Sequence, residues 1–419
     1  MNAEIIGVGT ELLLGNITNT DARDLSIMLS ELGINVYWHT VVGDNPARLR
    51  EVLEIAKERA DIIITTGGLG PTCDDLTKQT VAGSFGLKLC FDERAERDIE
   101  EYFARIGAPL TENNRQQAYL PEGCTPFYNT CGTAPGCAFR AQGKHVLILP
   151  GPPSECLPMM RKDGLKYLAS LSEGEIFSHN IHIFGLGESY VESILRDEMN
   201  SLKNPTLAPY ARDAEVRLRV TAKAPTQAEA EKMTAPVVSD VCEKLGDFVY
   251  GVDTDTLENT VFQLLLGRGE TVAAAESCTG GLFCERLTSI PGSSSVLRGG
   301  CTVYTNDAKH LLLGVPEAVL EEKSAVSDEV ARLLAENVRE RLSADYGVGI
   351  TGVAGPGTDG LHEVGTVFVS LACRGETFVR ALHLSTGFSR ARIRTMAANH
   401  AFDMLRRRLT GRDVLGQWR

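Results

Sequence analysis

The chain has 419 residues, more than one ordinary domain holds, so two or three domains are expected. Apolar content of 43% beside 23% charged residues describes a globular protein with real cores, and no apolar run nears the roughly 20 residues of a membrane span. A net charge of −13 works against nucleic acid as a direct partner, because neutralising phosphates needs clustered Lys and Arg.

The start, "MNAEIIGVGTELLLG", carries an early acid and no basic stretch, so it does not read as a signal peptide. Eleven cysteines without a CxxC pair point to reduced thiols in the cytoplasm rather than a disulfide framework. The one basic run, Arg406–Arg408, reads as a solvated helix end.

Residues 1–170 alternate strand and helix patterns, as a parallel α/β sheet requires. "AEIIGVG", "NVYWHTVVG", "DIIITTGG" and "HVLILPGPP" are strands, the later two continuous apolar runs of the buried kind. "DARDLSIMLSELG" and "PARLREVLEIAKERA" are helices, and a third is expected over "TCDDLTKQTVAGSFG". Residues 176–250 read as βαββαβ, the split-βαβ, ferredoxin-like order. That stretch holds no cluster of reactive side chains, so a linking or dimerising role is expected. Residues 253–419 return to βα alternation and close with the helix "SRARIRTMAANHAFDMLRRRL".

Three strand-end loops carry the chemistry of the first domain. "TTGGLGPTCDDLT" joins Gly67, Gly68 and Gly70 to a helix start, where N–H groups and the dipole favour a phosphate. Asp74 and Asp75 could hold a divalent cation against it, since hard cations take oxygen ligands. The competing reading makes Thr72 and Asp75 a capping-box pair that needs no ligand. "GVGTELLLGNITNTDA", with Glu11, Asn19 and Asp21, and "LPGPPSE", with Glu155, are expected at the same sheet edge.

In the last domain, "AAAESCTGGLFCERL" places Ser277 between a strand and a helix. The N–H groups of Thr279, Gly280 and Gly281 could converge there on an oxyanion, although serine at a helix start is also a common N-cap. Cys278 is a rival nucleophile that the local pattern leaves open. None of the domain's histidines suits the role of base, so Lys309 in "CTVYTNDAKHLLLG" is the candidate, with Tyr304 and Asn306 on the same overhang. A lysine acts as base only when neutral, so its pKa must fall from ~10.4 toward ~7–8, at a cost of about 4 kcal/mol to the ammonium. Arg390 or Arg394 could supply a neighbouring cation for that shift, or clamp a phosphate. "ITGVAGPGTDG", containing Gly352, could line a nucleotide pocket or simply turn the chain.

Together "GTELLLGNITNTDA", "TTGGLGPTCDDLT", "AESCTGG", "VYTNDAK", "SAVS" and "GITGVAGP" resemble the CinA (competence/damage-inducible) family along the whole chain. The pattern departs at Pro152 and Cys156, where Val and Met are commoner. The resemblance implies an α/β amino-terminal domain of molybdopterin-binding type, the small ferredoxin-like middle domain, and an α/β carboxy-terminal amidase domain. It implies hydrolysis of nicotinamide mononucleotide to nicotinic acid mononucleotide and ammonia without a cofactor. Ser277 would be nucleophile, Lys309 base and Tyr304 an assistant, with Arg390 or Arg394 on the phosphate. For the first domain it implies ADP-ribose hydrolysis with a divalent metal (Mg, Mn or Co) at Asp74, Asp75 and Glu11. It also implies a homodimer. A first domain that only binds a pterin or nucleotide, and a non-enzymatic partner in DNA uptake or repair, are the alternatives.

Overall fold

The computed structural model describes residues 1–171, 175–212, 214–254 and 256–416. They form two compact units, Met1–Phe177 with Lys223–Gln227, and Ser178–Ala222 with Ala228–Arg419.

The first unit is built on strands β1 (Asn2–Val8), β2 (Asn35–Val42), β3 (Ile62–Thr66), β4 (Leu89–Phe91), β5 (Tyr119–Pro121), β6 (Thr125–Phe127), β7 (Gly136–Ala141) and β8 (Lys144–Leu149). Its main sheet runs β2-β1-β3-β8-β7-β6, with β4 and β5 paired separately. β2, β1, β3 and β8 are mutually parallel; β7 pairs antiparallel with β8, and β6 antiparallel with β7. Because strand side chains alternate, Ile62 and Ile64 pack with Leu25 and Leu29 on one face. Ile63 packs with Leu49, Leu53 and Val81 on the other. Burial on both faces accounts for the unbroken apolar runs, at ~1.5–3 kcal/mol for each such side chain.

The third predicted helix is shorter than expected. It starts at Thr77, not Thr72, because the Asp75 carboxylate turns back to accept the Thr72 N–H at 2.9 Å and its hydroxyl at 2.5 Å. The Thr72–Asp75 pair is thus a turn ahead of the helix and not its capping box.

A second sheet, most of it in the second unit, is formed by β9 (Glu175–Ile183), β10 (Thr206–Arg212), β11 (Glu215–Ala224) and β12 (Val249–Val252) in the order β10-β11-β9-β12. With helices Glu188–Ser201 and Gln227–Leu245 between them, this is the split-βαβ arrangement.

The remainder is organised by β13 (Val272–Glu276), β14 (Leu297–Thr302), β15 (Tyr346–Gly352), β16 (Thr366–Cys373) and β17 (Glu376–His383), in the order β14-β13-β15-β16-β17. β14, β13 and β15 are parallel, and β16 and β17 return antiparallel. A Cβ on Gly349 would lie 2.4 Å from the Ala331 carbonyl oxygen, so glycine lets helix Asp328–Arg341 lie directly on β15. On the other face Phe283 stacks on Phe402 of the closing helix Arg390–Leu409 at 4.2 Å.

The Arg406–Arg408 run is not a solvated end. Arg406 and Arg407 are buried, and with Arg380 they surround the buried Asp403 at 2.6, 2.9 and 3.1 Å. Arg406 also donates to the Asp247 carbonyl at 2.9 Å, so the helix end is locked into the second unit.

Candidate active sites

β13 is flanked by β14 and β15, its two parallel neighbours in the sheet, so the chain after it emerges at a topological switch point. Ser277 is the first residue out. Its N–H donates to the Ile350 carbonyl at 2.9 Å, which carries the turn across to β15. Ser277 does not cap a helix: helix Leu282–Thr288 begins five positions later with Gly281 as its cap residue. That helix mouth is satisfied instead by the buried Glu276 carboxylate, which accepts N–H bonds from Gly281 (3.1 Å), Phe283 (3.0 Å) and Cys284 (3.0 Å). Glu276 is not singled out by the sequence patterns around Ser277. Its signal was a carboxylate one residue before the serine, on a strand otherwise apolar.

This arrangement corrects the expected oxyanion site. The Gly281 N–H is taken by Glu276 and the Gly280 N–H by the Ser277 carbonyl at 3.1 Å. Among the described residues the Thr279 N–H has no protein acceptor, and it is the donor left over.

Lys309 sits in the first turn of helix Asn306–Leu313, whose start is capped by Thr305. It is 1% exposed. Its Nζ donates to Ser277 Oγ at 3.1 Å and to the Val303 carbonyl at 3.0 Å. Burial pushes the ammonium pKa down to about 8. No neighbouring cation is the cause, which corrects that part of the expectation for Arg390 and Arg394.

Both arginines nevertheless frame the site. Arg394 grips the Thr279 carbonyl through Nη2 at 2.6 Å and Nε at 3.3 Å. Arg390 bridges the Gly355 carbonyl at 2.6 Å and the Tyr304 hydroxyl at 3.0 Å. Tyr304 and Asn306 are exposed, and Gly352 ends β15 tight against Val367 of β16. Cys278 faces the opposite way, into the apolar core, and burial pushes its thiol up to about 12. A thiol so placed stays protonated at neutral pH, so Ser277 alone of the two is a candidate nucleophile.

In the first unit a cleft of about 510 Å³ lies at the carboxyl ends of β1 and β3. Gly67, Gly68, Gly70, Glu11, Asp74, Asp75 and Glu155 line it, so the three loops do meet. Gly67 has φ +97°, and a Cβ there would lie 2.1 Å from the Val8 carbonyl oxygen, so only glycine passes this crossing. Thr72 acts from behind: its hydroxyl binds Asp74 and Asp75 and holds the Asp74 carboxyl below its ordinary pKa. Asn19 is not among the lining residues. It caps helix Thr20–Glu31 through the Ala22 N–H at 3.1 Å. Asp21 is buried in that helix, and burial raises its pKa to about 6. Asp44 and Gln117 line the cleft without having been singled out in the sequence.

The lining thus holds five carboxylates and no Lys, Arg or His. Among the described residues no three metal-ligating side chains converge in a cage. Such a site suits a hard divalent ion held by one or two carboxylates and completed by oxygens of a bound phosphate.

A buried lysine against a serine at a parallel-sheet switch point, in a chain that also carries a glycine-rich acidic cleft on a second parallel sheet, defines a multidomain α/β protein with two separate candidate sites. The chain belongs to the CinA family. Residues 254–409 match the "CinA C-terminal domain", residues 4–170 the "Probable molybdopterin binding domain", and residues 178–251 the "Damage-inducible protein CinA KH domain". The middle domain with split-βαβ strand order is therefore KH-like in family terms. A "Putative competence-damage inducible protein" of Bacillus cereus (strain AH187) is 49% identical over 411 residues, covering 98% of this chain and 99% of its own. One of the same name from Geobacillus kaustophilus (strain HTA426) is 50% identical over 399 residues, covering 94% and 96%. Among solved structures, CinA from Thermoplasma acidophilum is 34% identical, covering 40% of this chain and 99% of its own, with a TM-score of 0.37. Family membership suggests an enzyme. Among the described residues no helix is long and apolar enough to cross a membrane.

Proposed function

We propose that the carboxy-terminal domain hydrolyses the carboxamide of nicotinamide mononucleotide, giving nicotinic acid mononucleotide and ammonia. The observation that carries this reading is the buried Lys309 Nζ at 3.1 Å from Ser277 Oγ. At its lowered pKa of about 8, a useful fraction of Lys309 is neutral near physiological pH. Neutral Nζ takes the hydroxyl proton as Ser277 Oγ attacks the carboxamide carbon. The Thr279 N–H then faces the charge that develops on the carbonyl oxygen. The C–N bond breaks, Lys309 returns its proton to the departing ammonia, and an ester remains on Ser277. Water deprotonated by Lys309 cleaves that ester and restores the serine. Free N–H groups of Arg390 and Arg394 would hold the substrate phosphate, and the Arg390–Tyr304 bond would steady the mouth of the site. Ammonia release from nicotinamide mononucleotide, lost in Ser277→Ala and retained in Cys278→Ala, tests the reading.

For the amino-terminal domain the supported reading is hydrolysis of ADP-ribose to AMP and ribose 5-phosphate. Five carboxylates facing a backbone loop open enough for a diphosphate support it. A divalent ion on Asp74 and Asp75, with Glu11 nearby, would offset the charge of the diphosphate. AMP release that needs Mg, Mn or Co and is lost in Asp74→Ala supports hydrolysis; metal-independent binding without AMP release makes the domain a binding module. Salt-sensitive DNA binding would instead favour the non-enzymatic competence role. The reading keeps the enzyme a cytoplasmic homodimer, in keeping with free cysteines, and sedimentation of the purified chain tests the dimer.

A further inference from the structure

The acidic cleft of the first unit has a basic neighbour. A groove of about 440 Å³ runs beside it, lined by Arg94 and Arg105 of helix Glu93–Ile106, by Lys162, and by the rings of Tyr102 and Tyr128. Arg94 lies over the Tyr128 ring at 3.9 Å and only 4.0 Å from Asp98, so its charge is partly spent. Arg105 and Lys162 are exposed and have no carboxylate partner among the described residues. Glu101 also borders the groove, leaving three cations against two acids.

Cleft and groove share one wall. Asn129 and Gly132 border the groove, while Thr133 and Ala134 of the same loop border the cleft. The wall is rigid: Asn129 Nδ2 donates to the cleft residue Glu155 at 2.6 Å, and Asn129 Oδ1 accepts the Cys131 and Gly132 N–H groups at 2.9 and 2.8 Å. The cleft repels any anion that does not bring a cation with it, whereas the groove attracts one directly. A ligand reaching past this wall therefore meets a change of sign, and its second anionic group is favoured only on the basic side.

We propose that the groove is a second anion subsite, taking a phosphate monoester carried by a nucleoside diphosphate sugar whose diphosphate lies in the cleft. The proposal rests on the diphosphate reading of the cleft and names its substrate class: diphosphate sugars bearing an additional phosphate on a ribose hydroxyl.

The test is calorimetric binding of ADP-ribose and of ADP-ribose 2′-phosphate to the full chain at two salt concentrations, with Ca in place of the catalytic Mg so that heats of binding are read without turnover. The wild type is expected to prefer the phosphorylated ligand about five- to tenfold at low salt and less at high salt, as for any charge-assisted contact near solvent. The double variant Arg105→Gln/Lys162→Gln is expected to bring that ratio to about one. Both positions are exposed, so a folding defect, checked by circular dichroism, is not expected. Absence of the preference in the wild type, or its survival in the double variant, overturns the subsite. If neither nucleotide binds, the diphosphate reading fails, and inorganic phosphate followed by 31P line broadening decides the groove alone. Broadening lost in the double variant sustains it, and no broadening in the wild type overturns it too.

Discussion

Lys309 Nζ and Ser277 Oγ lie 3.1 Å apart although 32 residues separate them in the chain, and both side chains are buried. Two parallel strand ends bring them together, one carrying the serine turn and the next the lysine helix. Ser277→Ala and Lys309→Met are each expected to lower kcat for nicotinamide mononucleotide by about 10³-fold or more, because nucleophile and base act as a unit. Cys278→Ala is expected to stay within a fewfold of wild type, as its thiol is turned into the core. Steady-state ammonia release checks both, and a loss confined to the cysteine variant would reverse the assignment.

The same lysine sets a pH dependence. Only neutral Lys309 can accept the serine proton, and burial has brought its pKa to about 8. The kcat/KM profile should therefore rise tenfold per pH unit below about 8 and level off above it. A profile already flat between pH 6 and 8 would exclude Lys309 as the base.

A third consequence concerns stability. Between about 8 and the ~10.4 of an unfolded lysine, the unfolded chain holds the extra proton, so wild-type stability rises with pH across that window. Below it the fold bears the full cost of a depressed ammonium pKa. Lys309→Met should thus be more stable than wild type at pH 7, by ~1–3 kcal/mol, with the difference shrinking toward pH 10. Denaturant titrations at pH 7 and 9.5 measure it; a less stable variant at pH 7 would contradict the account.

Asp403 sets a requirement of opposite kind. Three guanidiniums close on one buried carboxylate and hold its pKa below the ordinary range. Asp403→Asn would leave those cations uncompensated, at ~3–5 kcal/mol of stability. Because the carboxyl is depressed, its contribution is present above the ordinary aspartate range and is lost as pH falls through the folded value. Thermal melts of the variant and of wild type at pH 7 and pH 3 should converge as the pH falls.

The helix mouth offers a fifth check. Glu276→Gln replaces one carboxylate oxygen by an N–H facing the donors it now satisfies, which should distort the Ser277–Gly281 turn. We expect kcat to fall about 10- to 100-fold while KM changes little, the pattern of a positioning residue. A change in KM alone would place Glu276 in substrate binding.

The layers of the fold were legible in the residues themselves. Ile62–Thr66 is buried throughout and opens on three isoleucines because a parallel strand is covered on both faces, and Gly67 marks a crossing where an added Cβ would lie 2.1 Å from the Val8 carbonyl oxygen. Ser277 stood out for the same reason, since a strand-to-helix turn has few residues and each shows. What those patterns could not hold was direction and burial. Arg406 reads as a solvated helix residue because long cations usually are, and Lys309 reads as a base only on the condition that it is desolvated; the elements packed over both removed the water. Ser277 and Cys278 are neighbours in the chain, yet one faces the lysine and the other the core, which backbone torsions decide. The Thr72–Asp75 pair suits a helix cap by spacing, but its own hydrogen bonds close it into a turn ahead of the helix, which starts at Thr77. Local sequence thus determined where strands, helices and sharp turns fall, because those depend on near neighbours. Which charges are desolvated, and which thiol or hydroxyl can react, was decided by contacts between segments far apart in the chain, and a pKa follows from those contacts.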